Sequence, residues 1–83
     1  MATQAVTTQT FEKTITDNDI VFVDFWATWC GPCRAFGPVF EQASEKNPGI
    51  VCAKVNGDQN QGLAGAAGIQ SIPTLMVSKK GQI

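Results

Sequence analysis

Two cysteines separated by a glycine and a proline are the residues of this sequence best suited to covalent chemistry. They are Cys30 and Cys33, in the segment Trp29-Cys30-Gly31-Pro32-Cys33. Two thiols at this spacing can close a disulfide and reopen it, so the pair predicts thiol–disulfide exchange. The glycine removes bulk where a partner's backbone approaches, and the proline stiffens the short link between the sulfurs.

The two thiols are expected to differ in reactivity because they occupy different positions in one helix. The residues after the pair predict a helix, so Cys30 should be exposed at its N-terminus, where unpaired N–H groups and the helix dipole favour a thiolate. Cys33 lies one turn further in and should be more shielded. Lowering a thiol pKa from about 8.5 to about 7 raises reactivity only about three- to fourfold, because nucleophilicity falls as well. We expect Cys30 to attack and Cys33 to resolve.

A zinc site and a purely structural disulfide are the alternative interpretations of the pair. Zinc requires four ligands, whereas the sequence offers one further cysteine, Cys52, and no histidine. Cys52 alternates within an apolar segment, which is typical of a small buried hydrophobic residue rather than of a sensor thiol. It is assigned no catalytic role, and no metal is predicted.

Strands and helices alternate around the pair, which predicts an α/β sheet containing parallel strands. A nearly continuous apolar run, interrupted by Asp24, is typical of a strand buried on both faces. We predict strands at 20–27, 50–55 and 74–78. Helices are predicted at 11–18, from 31 to about 47, and at 63–67 before Gly68. Thr8 or Thr10 would cap the first helix, and Pro38 would kink the second. The polar start up to residue 9 is assigned no element, the polar stretch 56–60 is interpreted as a loop without catalytic residues, and 79–82 is predicted to turn.

Composition limits the classes of partner. A chain of 83 residues with 43% hydrophobic and 16% charged residues is expected to form one domain. A net charge of −1 provides no basic surface, so nucleic acid and membrane are not expected as partners. No signal peptide is visible, and the apolar runs are far shorter than the roughly 20 residues that span a membrane. Three cysteines, an odd count, favour a reducing compartment, and we expect the cytoplasm.

The segment from Val23 to Arg34 (VDFWATWCGPCR), with Pro38 and the later segment Ser71-Ile72-Pro73-Thr74, closely resembles the thioredoxin family. The resemblance runs from about residue 11 to residue 83 and includes Lys54 and the Gly68-Ile69 step. It implies one thioredoxin-like domain over residues 1–83: a three-layer sandwich in which a mixed sheet carries helices on both faces. Because the family continues into a fifth strand and a last helix, we expect this chain to stop after the family's fourth strand, C-terminally incomplete and exposing apolar sheet surface.

The resemblance also implies a reaction: reduction of protein disulfides through a reversible dithiol and disulfide of Cys30 and Cys33. Asp24 matches the family's buried carboxylate, implied to transfer the proton of the resolving thiol, and Lys54 matches the ammonium that tunes it. Burial should raise the Asp24 pKa, whereas Lys54 should lower it. Without the resemblance, a paired core acid is an equally good interpretation of Asp24.

A docking surface is implied around the dithiol, with Pro73 matching the family's cis-proline. It comprises Trp29, Gly31, Pro32, Ile72 and Pro73, whereas Trp26 is interpreted as core. No bound cofactor is expected. Reducing equivalents would come from NADPH through a thioredoxin reductase, and the other partners would be oxidised protein substrates. A redox-regulated binding module and an inactive fragment remain alternatives, and the sequence leaves the oligomeric state open.

Overall fold

The apolar run around Asp24 lies inside a four-stranded sheet. The computed structural model describes residues 2–82, and its elements are β1 (Thr3–Ala5), α1 (Phe11–Asp17), β2 (Ile20–Trp26), α2 (Gly31–Lys46), β3 (Val51–Asn56), α3 (Gln61–Ala66) and β4 (Thr74–Lys79). The strand order is β1-β3-β2-β4. β1 and β2 run parallel to β3, whereas β4 runs antiparallel to β2. The predicted mixed α/β sheet is confirmed.

The strand β1 was not predicted, because its residues form no apolar run. Its register places Thr3 opposite Cys52 of β3, and the Val6 N–H continues the ladder by donating to the Lys54 carbonyl oxygen at 2.9 Å. The Thr3 hydroxyl also donates to Glu41 of α2 at 2.7 Å. β1 is therefore held by the free edge of β3 and by a helix distant in sequence.

Alternation along β2 divides its side chains between two differently covered faces. Val21, Val23 and Phe25 are fully buried on one face, where residues of α1 and α3 pack on them. The opposite face carries Phe22, Asp24 and Trp26 and is crossed by α2, whose Phe36 and Phe40 lie beside Phe22. Helices thus cover both faces, as the resemblance implied. Burial of each large apolar side chain contributes roughly 1.5–3 kcal/mol to this arrangement.

Element boundaries differ from the predicted ones by one or two residues. The helix α1 begins after Thr10, as predicted, but the Thr10 hydroxyl makes no capping bond to this helix and accepts instead from the Thr7 N–H at 3.0 Å. Pro38 lies inside α2, which continues to Lys46. Gly68 adopts a positive φ of 73°, a conformation that glycine tolerates best and that follows the end of α3.

The face crossed by α2 is only partly covered. Leu75 and Val77 of β4 are each 45% exposed, and Val39 of α2 is 59% exposed. The expected exposed apolar surface is therefore present beside the β4 edge. Within residues 2–82, no helix has the length and apolar character needed to cross a membrane.

Candidate functional site

The dithiol pair lies at the junction between β2 and α2. Cys30 and Cys33 are joined as a disulfide, with their Cα atoms 5.3 Å apart. Cys30 is the N-cap of α2 and has an extended backbone, while Pro32 occupies the first turn, where its missing N–H costs nothing. The Cys30 sulfur accepts the Cys33 backbone N–H at 3.2 Å. The sulfur therefore occupies the place of a capping oxygen, where negative charge is favoured.

The prediction that Cys30 is exposed is wrong. Its exposed fraction is 4%, and that of Cys33 is 5%. Ala27, Trp26 and Ile72 pack around the pair, and the Cys30 sulfur lies 3.7 Å from the Ile72 carbonyl oxygen. Ile72, in the loop before β4, covers the N-terminus of α2. Sequence spacing within the helix does not reveal this contact. The difference between the two thiols consequently rests on the capping position of Cys30 and not on exposure.

The residues of the implied docking surface are brought together around the disulfide. Trp29 is 67% exposed, Gly31 and Pro32 are exposed, and Ile72 and Pro73 are half-buried. The Ile72–Pro73 peptide bond is cis, as the resemblance implied. Apart from its chain neighbours and the backbone of its own helix, a Cβ atom added to Gly31 would meet no atom of residues 2–82 within 4 Å. The surface at this glycine is therefore open.

Asp24 is a buried acid on the face of the sheet that α2 crosses. It is 1% exposed, and its Oδ1 atom has no hydrogen-bond partner among the residues that the structure describes. Burial raises the pKa of this carboxyl, and the positive charge of Lys54 acts in the opposite direction. Burial has the larger effect because the carboxylate loses its hydration without gaining a complete set of hydrogen bonds.

Lys54 faces Asp24 across the two central strands. The parallel register of β2 and β3 pairs these residues directly. The Lys54 Nζ atom lies 5.1 Å from the centroid of the Trp26 ring, within the range of a cation–π contact. Trp26, interpreted as core, is half-buried and helps to hold this ammonium.

A cavity of about 510 Å³ lies beside Lys54 and reaches Cys33. Cys33 and Lys54 both line it, together with Trp26, Gly37 and Glu41. Cys33 therefore borders a space that also contains the side chains of Lys54 and Glu41.

Replacement of Lys54 by methionine is expected to raise the pKa of Asp24 further, because the opposing positive charge is removed while burial remains. Titration of the Asp24 side-chain carboxyl by ¹³C NMR measures this change directly. Lys46→Met, in the last turn of α2, removes the same charge from an exposed position and serves as the control. An unchanged Asp24 titration midpoint in Lys54→Met would contradict the expectation.

Asp58 is a residue of this site that sequence reasoning missed. Its Oδ2 atom accepts the indole N–H of Trp29 at 2.9 Å. The polar stretch 56–60 that contains it follows a strand and predicts only a loop. The predicted parallel pairing of β2 and β3 could have indicated this contact. The carboxyl ends of parallel strands lie at one edge of the sheet, so the loops that follow them are neighbours.

No cluster of three or more histidine, cysteine, aspartate or glutamate side chains arranged to hold a metal ion is found within the described residues 2–82. Cys52, the third cysteine, is free and buried in β3. Burial, together with the negative charge of Glu41, raises the pKa of its thiol. Cys52 therefore stays protonated at neutral pH.

Comparison with known proteins agrees with this geometry. The sequence profile of the thioredoxin family matches residues 2–83. The chain is 51% identical to putative thioredoxin 2 of Streptomyces coelicolor over 79 residues, covering 95% of this chain and 59% of that protein. It is 48% identical to thioredoxin 1 of Nostoc sp. over 83 residues, covering 98% of this chain and 78% of the relative.

A solved structure of Plasmodium falciparum thioredoxin superimposes with a TM-score of 0.91 at 37% identity, covering 94% of this chain and 78% of that one. The chain thus spans about three fifths of the Streptomyces relative and about three quarters of the other two proteins. The sequence and the fold match those of thioredoxins over nearly all residues of the chain. The disulfide lies at the start of the helix that follows the central strand β2. This chain belongs to the thioredoxin family of thiol–disulfide oxidoreductases.

Proposed function

We propose that this chain reduces disulfide bonds in other proteins through cycling of Cys30 and Cys33 between dithiol and disulfide. The observation that carries the proposal is the position of the pair: a cysteine as N-cap of α2, its sulfur accepting a backbone N–H, bonded to a second cysteine one turn later. This geometry favours a thiolate on one sulfur and keeps the other within reach.

The first step is attack of the Cys30 thiolate on a sulfur of the substrate disulfide. A bond forms between Cys30 and that sulfur, the substrate disulfide breaks, and the other substrate sulfur leaves as a thiolate that takes a proton from solvent. The N–H of Cys33 and the N-terminus of α2 stabilise the attacking charge before the step.

The second step is attack of Cys33 on the Cys30 sulfur of this mixed disulfide. Cys33 loses a proton and its sulfur bonds to the Cys30 sulfur, while the bond between Cys30 and the substrate breaks. The second substrate sulfur leaves as a thiolate that takes up a proton, so the substrate disulfide has gained two electrons and two protons in total. Asp24 is the proposed proton acceptor, because a carboxyl with a raised pKa is a better match for a thiol than an ordinary one. The positive charge of Lys54 opposes that rise in the pKa of Asp24.

The docking surface of Trp29, Gly31, Pro32, Ile72 and Pro73 is proposed to receive the substrate backbone. Pro73 offers no N–H, so the peptide groups of Ile72 are the ones available for pairing with an extended segment. The exposed indole of Trp29 supplies apolar area. Contacts to backbone and apolar groups suit a protein that accepts many substrates.

A thioredoxin reductase that uses NADPH is the proposed source of electrons, since the disulfide product must be reduced before another turnover. No cofactor bound to the chain itself is needed for thiol–disulfide exchange. The proposed compartment is the cytoplasm, because the reduced pair and the free thiol of Cys52 both persist under reducing conditions.

Replacement of Cys33 by serine is expected to trap the mixed disulfide, because the resolving thiol is lost while Cys30 remains. The reduced variant, incubated with insulin, should form a covalent adduct that dithiothreitol dissolves. Intact-protein mass spectrometry measures the adduct, and peptide mapping should place the bond on Cys30.

A variant with both replacements, Cys30→Ser and Cys33→Ser, provides the matched control and should form no adduct. Cys52 remains in both variants, so an adduct in the control would assign the reactive sulfur to Cys52 and contradict the proposal. Absence of an adduct in Cys33→Ser would contradict it as well.

A further inference from the structure

We infer that Asp58 is a positioning residue that holds the Trp29 indole at one side of a docking cleft beside the dithiol. The inference rests on the proposed function, since it concerns how a protein substrate is received. Three features support it: the isolation of the indole, the fixed loop that carries Asp58, and the shape of the cleft.

The Trp29 side chain has little packing to hold it. Two thirds of its surface is exposed (67%), and it lies outside both groups of packed apolar residues found among residues 2–82. Its indole N–H donates to the Asp58 carboxylate at 2.9 Å, a charge-assisted hydrogen bond to a loop 29 residues away. Loss of that bond would leave the ring free to change rotamer.

Asp58 is itself held by its loop. The side-chain oxygen of Asn56 accepts the backbone N–H groups of Asp58 at 2.9 Å and of Gln59 at 3.3 Å. Asn60, which is 8% exposed, donates to the Asn56 carbonyl oxygen at 2.9 Å and accepts the Thr8 backbone N–H at 3.0 Å. The acceptor of the indole is therefore fixed to the body of the domain before a substrate arrives.

The cleft lies between Trp29 and Ile72 and has a volume of about 400 Å³. Trp29 and Asp58 line it, together with Ala64, Ile69 and Ile72. The Ile72 carbonyl oxygen is 3.7 Å from the Cys30 sulfur, so the cleft adjoins the reacting atom. Its apolar members, which include Trp29, Ile69 and Ile72, suit an apolar side chain close to the substrate cysteine.

Positioning of this kind improves binding by lowering its entropic cost. An indole already fixed at the cleft wall need not be ordered when the substrate docks. Removal of the Asp58 carboxylate should therefore weaken substrate binding more than it slows the chemical steps, which take place at the sulfurs.

The test compares Asp58→Ala, Asp58→Asn and, as a matched control for charge, Asp19→Ala, which removes an exposed acid before β2. Insulin reduction is followed at increasing insulin concentration with dithiothreitol as electron source. Asp58→Ala should raise KM for insulin about three- to tenfold with little change in kcat, and hydrogen exchange of the Trp29 indole N–H should accelerate. Asp58→Asn keeps an oxygen acceptor and should restore KM to within about twofold of the unsubstituted value, whereas Asp19→Ala should match the original chain.

An unchanged KM in Asp58→Ala would overturn the inference. A KM in Asp58→Asn as high as that of Asp58→Ala would overturn it too, because charge rather than the hydrogen bond would then be responsible. If the unsubstituted chain fails to reduce insulin, the proposed function itself is wrong. That result differs from one in which the unsubstituted chain is active and the Asp58 variants are indistinguishable from it.

Discussion

Replacement of Cys30 by serine is expected to lower the rate of insulin reduction to that of dithiothreitol alone. A serine hydroxyl stays protonated at neutral pH and forms no mixed disulfide, so the first covalent step is lost. The fold should be retained, since serine at the N-cap position accepts a backbone N–H as readily as the sulfur does. Insulin turbidity measures the rate, and far-UV circular dichroism verifies the fold.

Cys52→Ala is the matched control for this prediction. Cys52 is buried in β3, and its raised thiol pKa keeps it protonated, so its loss should leave the rate within about twofold of the original. Substantial activity in Cys30→Ser would require another nucleophile. If Cys30→Ser kept its activity and Cys52→Ala lost it, the nucleophile would be Cys52, and the assignment of Cys30 would be wrong.

The elements that support the dithiol were predictable because local sequence determines them. The apolar run of β2 indicates a strand buried on both faces, and the spacing of Phe36, Val39 and Phe40 indicates one helical face. The two cysteines lie between these patterns, so their place at a strand-to-helix junction follows from periodicity alone. The structure confirms this arrangement with shifts of one or two residues at the ends.

The features that sequence reasoning missed depend on contacts between distant segments. β1 has no apolar alternation, and it forms because the edge of β3 offers unpaired backbone groups. The burial of Cys30 comes from Ile72, which is 42 residues further along the chain. Asp58 acquires its partner only when two loops meet at the carboxyl ends of parallel strands. None of these contacts leaves a periodic signature in the sequence.

Replacement of Asp24 by asparagine is expected to stabilise the protein at pH 8 by roughly 1–3 kcal/mol. The carboxylate is 1% exposed, and a buried charged group that lacks a full set of hydrogen bonds costs about this much free energy or more, which a neutral side chain avoids. Asparagine has nearly the same shape and carries no charge. Urea unfolding of the original chain and the variant gives the difference in unfolding free energy.

The pH dependence of this difference has a definite sign. The folded-state pKa of Asp24 lies above its unfolded value, because burial disfavours the charged form. Below the unfolded pKa, near 3.9, the carboxyl is neutral in both states and no penalty exists. As pH rises toward and through the folded pKa, the unfolded state ionises more readily, and the original chain loses stability relative to Asp24→Asn.

Asp19→Asn, an exposed acid, is the control and should show no comparable pH-dependent gain. An equal unfolding free energy for Asp24→Asn and the original chain at pH 8 would contradict the expectation that the ionised Asp24 carboxylate destabilises the fold.

The same variant distinguishes a proton acceptor from a mere core acid at Asp24. If Asp24 accepts the Cys33 proton, Asp24→Asn should slow release of the mixed disulfide roughly 10- to 100-fold near pH 7, with the deficit shrinking as pH rises and hydroxide replaces the missing base. Rapid-quench measurement of adduct decay provides this rate. A core acid without a role in proton transfer would change stability alone and leave the decay rate unaltered. The stability gain and the rate loss together would mean that this buried carboxylate is retained at the expense of folding because resolution by Cys33 depends on it.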